Sequence, residues 1–414
     1  MIPYLCAFNR CLNIHLQVRF FILSIVITIL SLIPATRVLA PEWLQPLEAK
    51  VLMPSAEALE IAEAFDAFIQ QAIDQGFAPG AAAAVVYDGN VVLEKGYGVR
   101  SVKDGAPADE HTIFRIASLS KSFAGFLTGR MVQKGVVNWE DPVVKYLPDF
   151  CLKTDEHTQA LQLTHLLSQS SGLPYHAYTD QIELGKSLSE IMPMLYDLEL
   201  IGKPGKIYSY QNAVFSLAGE ALQAATGLGF EENLRREVFQ PLGMRDASAS
   251  LPGFLNSSNA AMPHDITRAG VWRQLAPSPN YYNTAPAGGV NASASDMAQY
   301  LLAMLGNRPD VISRETLAKL GEPLVYSPVR YRYFGHWSNI DKVWYGLGWR
   351  VLDLSNGEKL LYHGGYVAGY RAEIAVHPEK GWGVCVMFNA AAGMADQCVP
   401  KFMELVESSV PPQL

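Results

Sequence analysis

Phe114-Arg115-Ile116-Ala117-Ser118-Leu119-Ser120-Lys121-Ser122-Phe123 opens a helix and sets a serine and a lysine three residues apart. At that spacing the two side chains share a helix face, with Cβ atoms about 5–6 Å apart. A serine hydroxyl is a weak nucleophile until a neighbour takes its proton, and a lysine held this close can do so once its own pKa is lowered. Apolar residues at Leu119, Phe123, Phe126, Leu127 and Met131 predict a buried helix running to about Lys134, and burial favours the neutral amine. Taken alone the pair is weak. Ser118 also reads as a plain helix N-cap, and about one or two such pairs arise by chance in a chain this long.

Upstream, Glu57 to Asp74 carries one apolar stripe at helical spacing, ended by Gly76, Pro79 and Gly80. Ala82–Tyr87 and Val91–Lys95 flank Asp88-Gly89-Asn90, a hairpin signature. Downstream, from Asp141-Pro142, the texture turns helical and loop-rich. Short helices are expected over Leu163–Leu167, about Ala213–Ala225 and Phe230–Gln240, and Ser295-Asp296 caps another to about Leu305. Leu251 to Pro286 has little periodicity and is too long for an ordinary connection, which suggests a binding or lid element. After Val343, strand texture returns over Tyr345–Leu354, Lys359–Tyr362, Tyr370–His377 and Trp382–Asn389, at spacings suited to antiparallel pairing. Ala395–Ser408 closes as a helix. The expectation is an α+β fold in which an antiparallel sheet drawn from both chain ends is flanked by helices, with a helical lobe inserted. The sheet lobe would cover about 57–140 and 340–410, the helical lobe about 141–339, and the cleft would lie at their boundary.

The 414 residues carry a formal net charge of −8 and no Lys/Arg run stands out, which leaves no electrostatic footprint for nucleic acid. H-E-x-x-H and C-x-x-C spacings are absent, so no metal site is proposed. Residues 1–40 differ in kind. Arg10 and Arg19 precede an apolar run from Phe20 to Ile33, and Val38-Leu39-Ala40 follows. This is the pattern of a secretory leader, and predicts an exported, periplasmic or secreted protein over 41–414. A retained anchor tethering the chain to a membrane through residues 20–33, or a start codon set too far upstream, are the alternatives. Beyond the leader, Cys151, Cys385 and Cys398 imply no complete disulfide framework; Cys385 and Cys398 could pair but read better as buried thiols.

Further features join the serine–lysine pair. Tyr210-Gln211-Asn212 precedes an apolar helix, and a tyrosine of lowered pKa can accept a proton beside a lysine. Tyr281-Tyr282-Asn283 repeats the Y-x-N pattern inside the irregular stretch, where Tyr281 is expected to line the cleft. His363-Gly364-Gly365 ends a strand at which backbone N–H groups could bind an oxyanion, and Pro286-Ala287-Gly288-Gly289 makes a bend. No G-x-S-x-G elbow surrounds any serine.

In order and separation these motifs, with Leu166-Leu167-Ser168-Gln169-Ser170-Ser171-Gly172-Leu173-Pro174, resemble the serine hydrolases of the class C β-lactamase and penicillin-binding-protein-like group from about Phe68 to Asn389. The resemblance implies an antiparallel sheet flanked by helices plus an all-helical lobe. It implies Ser118 as nucleophile, Lys121 and Tyr210 as the proton-transfer pair, and no cofactor. Asn212, His363, Gly365, Tyr366 and Tyr281 would meet a small ester, amide or peptide substrate, with the N–H groups of Ser118 and Tyr366 as oxyanion hole. Efficient β-lactamases of the group usually carry Lys-Thr-Gly where this chain has His363-Gly364-Gly365, and a mostly neutral imidazole binds a carboxylate less well. A carboxylesterase, a D-amino-acid peptidase or a weak β-lactamase is therefore expected, with a class C β-lactamase proper or a catalytically silent penicillin-binding-like envelope protein as alternatives.

Overall fold

Strand β1 (Gly80–Tyr87) is buried along its whole length because both of its faces are covered. Ala82, Ala84 and Val86 point into one apolar core, while Ala81, Ala83, Val85 and Tyr87 point into a second, the two-residue alternation of a pleated strand. The computed structural model describes residues 53–329, 333–335 and 337–409; the leader reading lies outside them. The strands that follow are β2 (Asn90–Gly98), β3 (Phe114–Arg115), β4 (His264–Ile266), β5 (Trp272–Gln274), β6 (Asn291–Ala292), β7 (Val325–Tyr326), β8 (Ile340–Tyr345), β9 (Arg350–Leu354), β10 (Lys359–Val367), β11 (Tyr370–His377) and β12 (Trp382–Phe388). Eight form one sheet in the order β2-β1-β12-β11-β10-β9-β8-β7, and β3–β6 and β4–β5 make two-stranded ribbons. All pairings of the main sheet are antiparallel.

The longer helices are α1 (Ala56–Asp74), α2 (Ser120–Gln133), α3 (Ala213–Thr226), α4 (Ala294–Met304) and α5 (Ala395–Ser409). Helices α1 and α5 cover one sheet face, where Phe65 meets Phe402 edge-on at 5.2 Å and Phe402 packs on Trp382 at 5.1 Å. Helices α2 and α4 share the other face with the helical region. The chain-end strands meet at β1–β12, registered from Ala81↔Phe388 to Tyr87↔Trp382 and locked by Gly80 N–H donating to Asn389 Oδ1 at 2.8 Å. Cys385 and Cys398 are separate buried thiols.

Three boundaries differ from the sequence reading. The strand expected to end at Tyr362 runs on through Gly364-Gly365 to Val367, held by its pairing with β11. Tyr345–Leu354 is not one strand: β8 ends at Tyr345, Gly346–Trp349 turns back, and β9 starts at Arg350, with Tyr345 and Arg350 paired across the turn. The turn must be tight because it abuts α2. A Cβ on Gly348, whose φ is +85°, would lie 2.2 Å from the Lys121 carbonyl oxygen, and one on Gly125 would lie 2.1 Å from that of Leu347. Helix α4, placed by sequence in the helical lobe, lies on the sheet instead. Its Leu301 packs so closely on β12 that a Cβ at Gly383 would come within 2.9 Å of it. Among the described residues, no helix is long and apolar enough to cross a membrane.

Candidate active site

Ser118 occupies a single 3-10 turn, Ala117–Leu119, that leads directly into α2. Ala117 sits at φ +50°, in the left-handed region that costs an L-residue roughly 1–2 kcal/mol, so the turn needs support from its surroundings. Ser120 Oγ supplies some by donating to Ala117 O at 2.6 Å and accepting from Val290 N–H at 2.9 Å. On the other side, β10 passes beneath the turn. A Cβ on Gly365 would lie 2.5 Å from Ile116 O and 3.2 Å from Ala117 Cβ, so only glycine lets the strand come this near. Strand β10 pairs with β9 only over Lys359–Tyr362. Its continuation through Val367 therefore runs free of β9 beside Ser118.

Two side chains converge on Ser118 Oγ. Tyr210 Oη donates to it at 3.0 Å, and Lys121 Nζ stands 3.4 Å away. Lys121 is fully buried and donates to Asn212 Oδ1 and to Ala287 O, each at 2.8 Å. With two protons so engaged, a neutral amine keeps its lone pair for the serine hydroxyl. Burial first, and the charge of Arg350 second, hold the Lys121 pKa well below its usual range, as desolvation without a carboxylate partner must. Burial likewise raises the Tyr210 pKa, opposed by its bond to Ser118 and by Arg350.

Tyr210 is positioned by the loop after residues 163–167. Gln169, at φ +58°, accepts Ser209 N–H on its carbonyl at 2.8 Å and Gln211 N–H on its side-chain oxygen at 2.6 Å. Tyr210 O accepts from His176 N–H at 2.9 Å. The bend at Ala285–Gly288 brings the Ala287 carbonyl to Lys121 and packs under Tyr281, against which a Gly288 Cβ would lie at 3.2 Å. The irregular stretch ending there is pinned down. Arg115 donates to the carbonyls of Ser278 and Asn280 at 2.7 and 2.6 Å and stacks on Tyr282 at 4.4 Å.

A cleft of about 260 Å³ contains Ser118, Tyr210, Asn212, Tyr281 and Tyr366, together with Arg350 and Arg371. Lys121 lies just beneath its wall. Two of the residues expected to touch substrate do not line this cleft. His363, on β10, is buried beside the site, its Nε2 2.9 Å from Tyr345 Oη and its Nδ1 2.9 Å from Gly364 O. Burial, then Arg350 and Lys121, keep its pKa well below the usual imidazole value, so it is neutral. Gly365 packs against the turn and shapes the cleft only through the backbone. Sequence reasoning missed Arg350, Tyr345 and Gln169; the glycines at 346 and 348 are the one signal that a turn places Arg350 here. Among the described residues, no group of three or more His, Cys, Asp or Glu side chains is arranged to hold a metal ion. Chemically, the arrangement can deprotonate a serine beside a free strand edge.

Comparison with known proteins agrees with this geometry. The Beta-lactamase family profile matches residues 65–401. Protein flp of Staphylococcus aureus (strain NCTC 8325 / PS 47) is 25% identical over 354 residues, covering 83% of this chain and 66% of its own length. The unguisins hydrolase ungD' of Aspergillus campestris is 25% identical over 334 residues, covering 78% of this chain and 61% of its own. The chain thus spans just under two thirds of the curated relatives it matches. Among solved structures, the octameric penicillin-binding protein homologue from Pyrococcus abyssi superposes with a TM-score of 0.74 at 26% identity, over 84% of this chain and 77% of that one.

Proposed function

Because the chain belongs to the Beta-lactamase family, we propose that it is a serine hydrolase working through an acyl-enzyme. Ser118 Oγ attacks the carbonyl of an ester or amide while its proton passes to the Lys121–Tyr210 pair. That proton then goes to the leaving oxygen or nitrogen as the scissile bond breaks. Water, deprotonated by the same pair, attacks the acyl carbon and frees Ser118. The N–H groups of Ser118 and Tyr366 take the developing oxyanion, and Asn212 orients Lys121. The observation that carries this reading is the single Oγ approached at 3.0 Å by Tyr210 and 3.4 Å by Lys121 in one cleft. A relative named as an unguisins hydrolase adds support for hydrolysis.

The substrate class we favour is a small ester, amide or peptide, handled by a carboxylesterase, a D-amino-acid peptidase or a weak β-lactamase. The neutral, buried His363 speaks against an efficient β-lactamase, because it presents no charge to a β-lactam carboxylate. The leader pattern of residues 1–40 supports export, with cleavage or a membrane tether as its two outcomes. A fluorophosphonate or penicillin-type probe is expected to label the purified protein at Ser118, read by mass spectrometry of the peptide. Ser118→Ala should abolish labelling; labelling that persists overturns the proposal. A panel of p-nitrophenyl esters, D-amino acid amides, D-Ala-D-Ala peptides and nitrocefin then separates the substrate classes.

A further inference from the structure

Arg350 is a buried cation with no carboxylate partner among the described residues. Its Nη1 donates to Tyr208 Oη at 3.2 Å. Its guanidinium carbon lies 5.7 Å from the Tyr210 ring centre, 5.0 Å from that of Tyr333 and 5.7 Å from that of Tyr345. Removing a guanidinium from water without a counter-ion is costly, and aromatic faces offset only part of the cost. The position is also fixed. Arg350 opens β9 at the end of the turn whose backbone abuts Lys121 O, so the charge and the lysine are held by one contact.

We propose that Arg350 is a positioning residue for the proton transfer from Ser118: a fixed, unneutralised cation that holds the Lys121–Tyr210 pair in its proton-accepting form. An ammonium losing its proton and a phenol losing its proton both become less positive, so a nearby cation favours both losses. The member poised to accept is Lys121, since Tyr210 Oη is itself a donor to Ser118 Oγ. The structure is consistent with it in direction, since the charge of Arg350 acts downward on the pKa of each.

Among the described residues, the groups that face Arg350 and the pair can be named element by element. From β10, His363 faces the group as a neutral ring bonded to Tyr345. From the loop after Leu173, His176 lines the same cleft, 5.4 Å from the Tyr210 ring. Tyr208 and Tyr345, on the segment before α3 and on β8, flank the guanidinium with their rings and hydroxyls. Lys121 itself, on α2, is 4.7 Å from the Tyr210 ring and is one member of the titrating pair. Arg371 lines the outer cleft but is paired with Asp396 and stands 2.8 Å from Glu373.

The inference rests on the acyl-enzyme reading, and its test keeps the two separable. Single-turnover acylation by a neutral aryl ester is followed against pH for the wild type, Arg350→Lys and Arg350→Met, with thermal melting as the folding control. A charge about 6 Å away at an effective dielectric near 20 is worth about one to two pH units. The acidic limb of the Arg350→Met profile should rise by that amount, with acylation near neutral pH falling about 10- to 100-fold and the alkaline plateau retained. Arg350→Lys should keep most of the wild-type profile. If Arg350→Met does not fold, Arg350→Gln, which can still reach Tyr208, is read the same way. An unmoved limb in the charge-removed variant overturns the proposal. So does a loss confined to anionic substrates, which would make Arg350 a ligand contact. A wild type that is never acylated at Ser118 defeats instead the reading beneath it.

Discussion

Replacing Gly365 by alanine tests how the turn and the strand beneath it make the site. The added methyl would stand 2.5 Å from Ile116 O, 3.0 Å from Leu119 Cδ1 and 3.2 Å from Ala117 Cβ. Ordinary contact begins near 3.4 Å, so β10 and the nucleophile turn must part by about 0.9 Å. Neither side yields cheaply, because the turn already holds Ala117 at positive φ and β10 is paired with β11 from Leu361 to Val367. The separation falls between Ser118 and Tyr366, the two proposed oxyanion donors. An oxyanion bond lost is worth about 10²–10³ in rate, and overpacking adds roughly 1–3 kcal/mol of destabilisation. The expected outcome for Gly365→Ala is single-turnover acylation slowed about 100-fold or more, with thermal unfolding a few degrees lower. Gly383→Ala, which meets Leu301 of α4 at 2.9 Å on the same sheet face but two strands from β10, should lose comparable stability while acylating at the wild-type rate. If Gly365→Ala acylates within about threefold of the wild type once folded, strand spacing does not set the rate, and the reasoning fails.

Tyr210→Phe removes the hydroxyl 3.0 Å from Ser118 and should slow acylation about 10²–10⁴-fold, with an unchanged melting temperature in the same assay. Gln169→Ala leaves the Gln211 N–H unpaired in a buried loop; it should cost about 1–3 kcal/mol in denaturant unfolding and slow acylation as Tyr210 loses its anchor. Glu373 is a buried carboxyl whose pKa is raised to about 7, by burial above all. The folded state therefore binds its proton more tightly than the unfolded chain does. This contribution to stability is full below the unfolded value near 4.5 and is lost as pH rises to about 7. Melting temperature measured across that window should fall with rising pH in the wild type, and the slope should be shallower in Glu373→Gln.

Where a periodic signal was strong, the fold could be read directly from the sequence. The stripe from Leu59 to Ile73 became α1, and the hairpin at Asp88-Gly89-Asn90 became β1–β2. The turn at Gly346–Trp349 escaped because Tyr345, Leu347, Trp349 and Val351 keep a two-residue alternation through it, so only the glycines report the reversal. Helix α4 was assigned to the wrong neighbour for a related reason: an apolar stripe states that a face is buried, never against what. At the site, Ser118, Lys121, Tyr210, Asn212 and Tyr281 were legible as motifs and do converge. Arg350 was not, because its role depends on which side chains surround it, and those come from five separate stretches of chain. His363 shows the converse limit. A motif position fixes a residue's place along a strand, but its burial is decided by what packs on it, here Tyr345.

The seam between β1 and β12 also bears on when the protein can work. Gly80 and Asn389, joined across it, are 309 residues apart in the chain. At a synthesis rate of roughly 5–20 residues per second, β1 waits about 15–60 s on the ribosome before its partner is made. Such distant pairing is slow to form, and until it does, the all-apolar β1 presents an unpaired edge. Until β12 is made the nascent chain cannot close its central sheet. The helix that carries Lys121, whose floor is that sheet, waits with it.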